Sequence, residues 1–246
     1  MARNVATNRL IATGRSVASL RFAVANFANS LNFVNASNQY GTNAWTSQYA
    51  VPSRTLEWWQ LFTIKPAGTE PMFSGGGANY YFGFAADGMI LSYSDASAVQ
   101  KTFTVTNLGL QTSTWYHFAS TVDTSGSNVT VKHYKNGVEV GTQTLTSGHS
   151  SSYSSPFRLG LFAPTSVGPT GSIANMGFYD RALTANEVLL RSKNYPVSSG
   201  AVSRWLFSEG SGATVNDSVG SGHWTLTNTP VWSSTDVPMK APRLVA

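Results

Sequence analysis

Residues 115–145 read WYHFASTVDTSGSNVTVKHYKNGVEVGTQTL. Trp115–Asp123 and Val129–Lys135 are runs rich in aromatic and β-branched side chains, which suit a pleated surface. A Thr/Ser/Gly/Asn turn separates them. Asn136-Gly137 then leads into Val138–Leu145. That dipeptide supplies the left-handed pair that a tight hairpin needs. The stretch therefore predicts three consecutive antiparallel strands.

The same grammar continues in both directions. Residues 101–106 (KTFTVT) alternate cleanly, as a half-buried strand does. Residues 55–65 (TLEWWQLFTIK) form a long apolar run with Trp58 and Trp59 on opposite faces, which suits a central strand covered on both sides. Pro66, Gly68 and Pro71 end it. Met72-Phe73, 79–85 and 89–94 follow, punctuated by Gly75-Gly76-Gly77 and Asp87-Gly88. Residues 31–34 are an earlier strand. Downstream, 146–155 read as a loop and 157–162, 172–179, 202–207, 222–227 and 231–232 as strands. One helix is expected, where Thr184 and Glu187 form a capping box ahead of Val188, Leu189 and Leu190. Many short strands at regular spacing with one short helix predict an all-β, antiparallel jelly-roll β-sandwich.

The chain has 246 residues, a net charge of +5 and 11% charged side chains, against about 25% in an average soluble domain. The charge is unevenly placed. Arg3, Arg9, Arg15, Arg21 and Arg54 precede the first acidic residue, Glu57, and the remaining chain is balanced. Residues 1–30 thus read as a basic N-terminal arm ahead of a neutral sandwich over 31–246. The arginines at 3, 9, 15 and 21 recur every six residues, which puts them on one face of an extended chain. The arm has no continuous apolar core of a secretory signal. It is expected to be held by the domain or a partner. Without interleaved aromatics or lysine clusters it makes a poor nucleic-acid ligand. No run is long and apolar enough for a membrane-spanning helix. With no cysteine, disulfides, thiolate nucleophiles and Cys-type zinc sites are excluded.

Several stretches resemble the concanavalin A-like, laminin G-like superfamily. They are Thr114-Trp115-Tyr116-His117-Phe118-Ala119, Val131-Lys132-His133-Tyr134-Lys135-Asn136-Gly137 and Arg158-Leu159-Gly160. Gly171-Ser172-Ile173-Ala174 leads on to Tyr179-Asp180-Arg181-Ala182-Leu183-Thr184, with Glu187-Val188 completing it. The resemblance covers roughly 31–232 and implies a lectin-like sandwich. Residues 201–232 (AVSRWLFSEGSGATVNDSVGSGHWTLTNTPVW) resemble the segment that usually opens such a domain, yet here they come last. They are expected to supply permuted strands to the same sandwich, because Trp205, Phe207, Trp224 and Trp232 need a core.

The superfamily includes glucanases, so catalysis has to be weighed. A retaining glycosidase needs two carboxyl groups about 5–5.5 Å apart, and the related glucanases carry them as E-x-D-x-x-E. None of Glu57, Glu70, Glu139, Glu187 and Glu209 has an Asp two residues later. His117, His133, His149 and His223 show no metal-ligand spacing. No catalytic residue is expected. Calcium is the one cofactor considered, with Asp217 and then Asp180 as candidate ligands; it needs roughly six to eight oxygens.

Sugar binding needs exposed aromatic platforms beside polar groups. Trp45, Tyr49, Tyr80, Tyr81 and Tyr153 are the candidates, all near loops rich in Asn, Ser or Gly. Tyr80 and Tyr81 face opposite sides, so only one can be exposed. Trp58, Trp59, Trp115 and Trp205 are assigned to the core. The chain also resembles phage and metagenomic proteins with this fold. The leading expectation is a non-enzymatic virion surface protein, of capsid-decoration or fibre type. Its arm would dock on other virion or assembly subunits, and its sandwich would meet cell-surface or environmental glycans. The alternatives are a free-standing extracellular lectin and a glycan hydrolase with atypical residues.

Overall fold

The computed structural model describes residues 29–34, 38–44, 49, 51–75, 80–94, 99–125, 128–145, 156–160, 168–235 and 237–238. Its strands are β1 (Ser30–Phe33), β2 (Tyr40–Asn43), β3 (Arg54–Phe62), β4 (Glu70–Ser74), β5 (Tyr81–Ala85), β6 (Gly88–Ser94), β7 (Gln100–Val105) and β8 (Trp115–Asp123). They continue with β9 (Val129–Lys135), β10 (Val138–Leu145), β11 (Phe157–Leu159) and β12 (Gly171–Tyr179). Helix α1 (Ala185–Ser192) precedes β13 (Ala201–Trp205), β14 (Thr214–Val215), β15 (Trp224–Thr227) and β16 (Val231–Ser233).

These strands make two antiparallel sheets that face each other. The first runs β10-β9-β8-β3-β12-β1-β16, and β13 also pairs with β12. The second runs β14-β15-β2-β11-β4-β5-β6-β7. β12 is shared along its length. β3 takes one edge, while β1 pairs with residues 171–173 and β13 with residues 176–179. The register breaks between Ala174 and Gly177, where Asn175 has φ 43°. Residues 201–233 therefore feed both sheets, β13 and β16 in one and β14 and β15 in the other.

The sequence pattern explains the layers. β3 is central between β8 and β12, and all nine of its residues are buried. Leu56, Trp58 and Phe62 point between the sheets and join Phe82, Phe84, Phe118, Trp205 and Trp224 in one core. Thr55, Glu57 and Trp59 point to the outer face. There Leu183 and Val188 pack against Ala119, Tyr134 and Tyr179. The capping box forms as expected, with Thr184 Oγ1 accepting from Glu187 N and Glu187 accepting from Thr184 N. Asn136 and Gly137 adopt φ 53° and 80°, the left-handed pair their hairpin requires.

The two long seams of the sandwich differ. At one, β7 packs on β10: Phe103 and Val105 sit against Gly141, where a Cβ would collide with Val105. At the other, the edge strands are only two residues (β14) and three residues (β16) long. This seam stays open.

Candidate functional site

The open seam holds a cleft of about 530 Å³, the size of a small-molecule site. Residues 210–213 form one wall and 228–230 the other, with Leu226 and Trp232 between them. The first wall is a turn in which Gly210 and Gly212 take φ 71° and 85°. The Gly212 carbonyl accepts the Trp232 indole N–H at 2.9 Å, which fixes the half-buried indole where it both packs against the core and lines the cleft. The second wall is the crossing from β15 in one sheet to β16 in the other. Asn228 and Thr229 both have positive φ, 58° and 49°, and a β-branched residue there is strained. The neighbouring loop holds that turn. Asn228 Nδ2 donates to Asn38 O at 2.9 Å and Gln39 Nε2 to Thr229 O at 3.1 Å. Val34 N in turn donates to Gln39 Oε1 at 2.7 Å.

The lining chemistry is specific. The indole ring, Leu226, Ala213 and Pro230 give it apolar surface. The Ser211 and Thr229 hydroxyls and Asn228 Oδ1 have no hydrogen-bond partner among the described residues, and all three residues are exposed. An apolar platform with uncommitted donors and acceptors at its rim is the pattern of a sugar site.

The family described as concanavalin A-like lectin/glucanases superfamily, of laminin G type, matches residues 34–189. The chain belongs to the concanavalin A-like lectin/glucanase superfamily. No curated protein sequence matches it. Among solved structures sharing the superfamily's sandwich, a candidate carbohydrate-binding protein of Bacteroides ovatus aligns with a TM-score of 0.65 at 18% identity, over 87% of this chain and 62% of that one. This chain thus spans less than two thirds of that protein. A heptameric SAP-like pentraxin of Limulus polyphemus aligns with a TM-score of 0.56 at 16% identity, over 85% of this chain and 95% of that one. The CBM40 of a Ruminococcus gnavus sialidase, bound to α2,3-sialyllactose, aligns with a TM-score of 0.52 at 15% identity, over 68% and 99%.

Within this superfamily member the chemistry-bearing side chains are mostly sealed. Glu57 and His117 lie under α1 and meet Arg191 of that helix, all three at 0% exposure. His117 Nε2 donates to Glu57 Oε2 at 2.7 Å, and Arg191 donates to Glu57 Oε1 from Nε at 3.1 Å and Nη2 at 2.9 Å. Burial alone would raise the Glu57 pKa. Arg191 and His117 outweigh it and hold the carboxylate at about 2. This triad is a clamp between helix and sheet, out of reach of substrate. Ser120 and His133 are 2.7 Å apart, a nucleophile–base spacing, yet they too are buried.

The expected aromatic platforms need correction. Tyr49 and Tyr80 are 1% and 0% exposed and stand in the core. Tyr49 meets Phe157 and Phe178 edge-on and bonds Ser203 at 2.6 Å. Tyr80 carries the Arg54 guanidinium over its ring at 4.6 Å. Tyr81 does face the other side of its sheet, but it is only 9% exposed, and burial pushes its phenol pKa up. Trp115, assigned to the core by sequence, is instead half-buried, and Trp232, expected to need a core, is half-buried and packs against it.

Asp217 as a calcium ligand is also corrected. Its carboxylate accepts from the N–H groups of Arg204, Val219, Gly220 and Gly222 at 2.9–3.1 Å. Both carboxylate oxygens are thus engaged by donors of the protein itself. Burial raises its pKa, but the Ser203 hydroxyl and these N–H groups win and lower it. Asp180 is exposed and belongs to no group of three acidic or histidine side chains among the described residues. Trp45, Tyr153, Arg3, Arg9, Arg15 and Arg21 lie outside the described residues. No helix among the described residues is long and apolar enough to cross a membrane.

Proposed function

We propose that this chain is a non-catalytic glycan-binding protein, and that the open-seam cleft is its sugar site. The carrying observation is the half-buried Trp232 ring beside the Ser211 and Thr229 hydroxyls and Asn228 Oδ1, which have no hydrogen-bond partner among the described residues. The carbohydrate-binding neighbours support the reading at the level of fold. Asp217 takes no part in that binding, because its oxygens are already engaged. A glycan array probed with the full chain tests this: a defined set of hits, unchanged by chelator and lost in Trp232→Ala, is expected. An empty array, or hits that survive Trp232→Ala, would overturn it. Release of reducing sugar from a bound glycan would favour a hydrolase.

A second reading concerns where the protein acts. The acid-free segment before Glu57, with its arginines at 3, 9, 15 and 21, favours anchoring on an acidic assembly such as a virion surface. Detection of the chain in purified particles supports this reading, and a monodisperse protein absent from particles removes it.

A further inference from the structure

We infer that the open-seam cleft selects uncharged sugar rings and turns acidic ones away. This rests on the glycan-binding reading and assigns that site its substrate class. The described residues that line the cleft include no Asp, Glu, Lys, Arg or His. A carboxylate or sulfate entering it gives up part of its hydration and finds no cation among the described lining residues, which is costly beside an apolar surface. A neutral pyranose loses far less. Its C–H face covers the Trp232 ring, whose N–H is already committed to Gly212 O. Its hydroxyls then reach Ser211 Oγ, Thr229 Oγ1 and Asn228 Oδ1, which together offer both donors and acceptors. Arg158 of the second sheet stands on β11, two strands from β15 at this seam.

The test is a titration of the full chain with neutral gluco-oligosaccharides and with uronate oligosaccharides of equal length, at low and high salt. The Trp232 indole N–H signal, assigned by Trp232→Phe, reports occupancy. Neutral oligomers should shift it, with an affinity indifferent to salt, and the acidic series should bind at least about tenfold more weakly. Ser211→Lys, on an exposed turn, should narrow that gap by recruiting the acidic series in a salt-sensitive way. Equal or tighter binding of the acidic series by the unaltered chain overturns the inference while sparing the glycan reading. Silence toward both series and toward a glycan array overturns both.

Discussion

His133 lies flat on Phe103 with 4.6 Å between ring centroids, wholly buried between β9 and its neighbours. Its Nε2 faces the Phe103 carbonyl at 3.4 Å, so that nitrogen carries the proton and Nδ1 accepts from Ser120. Burial disfavours the cation and lowers the pKa from 6.5 to about 4. Between these two values the unfolded chain binds a proton that the folded chain refuses. Stability is therefore complete above pH 6.5 and falls as pH drops toward 4, by up to about 3 kcal/mol. Urea unfolding across that window should show the slope, and His133→Gln should flatten it. An unchanged slope in that variant would assign the effect to another group. Asp217 makes the opposite kind of residue-scale point. Its oxygens are saturated by N–H donors, so neither calcium nor chelator should move the melting temperature. A calcium-dependent rise would contradict this account of the 217–222 loop.

At the scale of elements, α1 is tied to the sheet by charge as well as by Val188. Arg191 reaches Glu57 on β3, and also donates to the Tyr195 carbonyl at 2.9 Å. Replacing one partner of a buried pair strands the other charge, at about 3–5 kcal/mol. Glu57→Gln should cost that much in chemical denaturation and speed hydrogen exchange in α1 before the rest. The native pair should also weaken as pH falls from about 4.5 toward 2, since the Glu57 pKa is depressed. Global loss without early exchange in α1 would show that the clamp is not local. These elements were largely legible in the sequence. The Asn136-Gly137 turn, the Thr184/Glu187 box and the doubly covered β3 are set by neighbours close in the chain. The cleft was not. Alternation separates Tyr80 from Tyr81, but it cannot say that both rings are buried. Nor can it show that Trp232 ends at a seam, which depends on residues near 38 and 212 meeting residues near 229. The one local sign was a glycine-rich turn and an Asn-Thr-Pro turn flanking the last strands.

At the scale of the molecule, the last segment adds strands to both sheets and three aromatic side chains to the core. Residues 201–233 place β13 beside β12, β16 beside β1, and β14 and β15 at the end of the second sheet. Trp205, Phe207 and Trp224 from this segment are fully buried in the shared core. Deleting a core aromatic costs about 3–5 kcal/mol. Losing these three together reaches the roughly 5–15 kcal/mol that keeps a domain folded. A chain ending at Gly200 should therefore show no cooperative unfolding and should bind a hydrophobic dye. A cooperative transition in that truncated chain would mean that the first twelve strands form an independent body, without the pairing of β12 with β13. Trp232 provides the internal contrast. It belongs to the same segment but sits at the open seam, so Trp232→Ala should leave the unfolding transition cooperative while removing glycan binding. The two outcomes together separate what residues 201–233 do for the fold from what their rim does for a ligand.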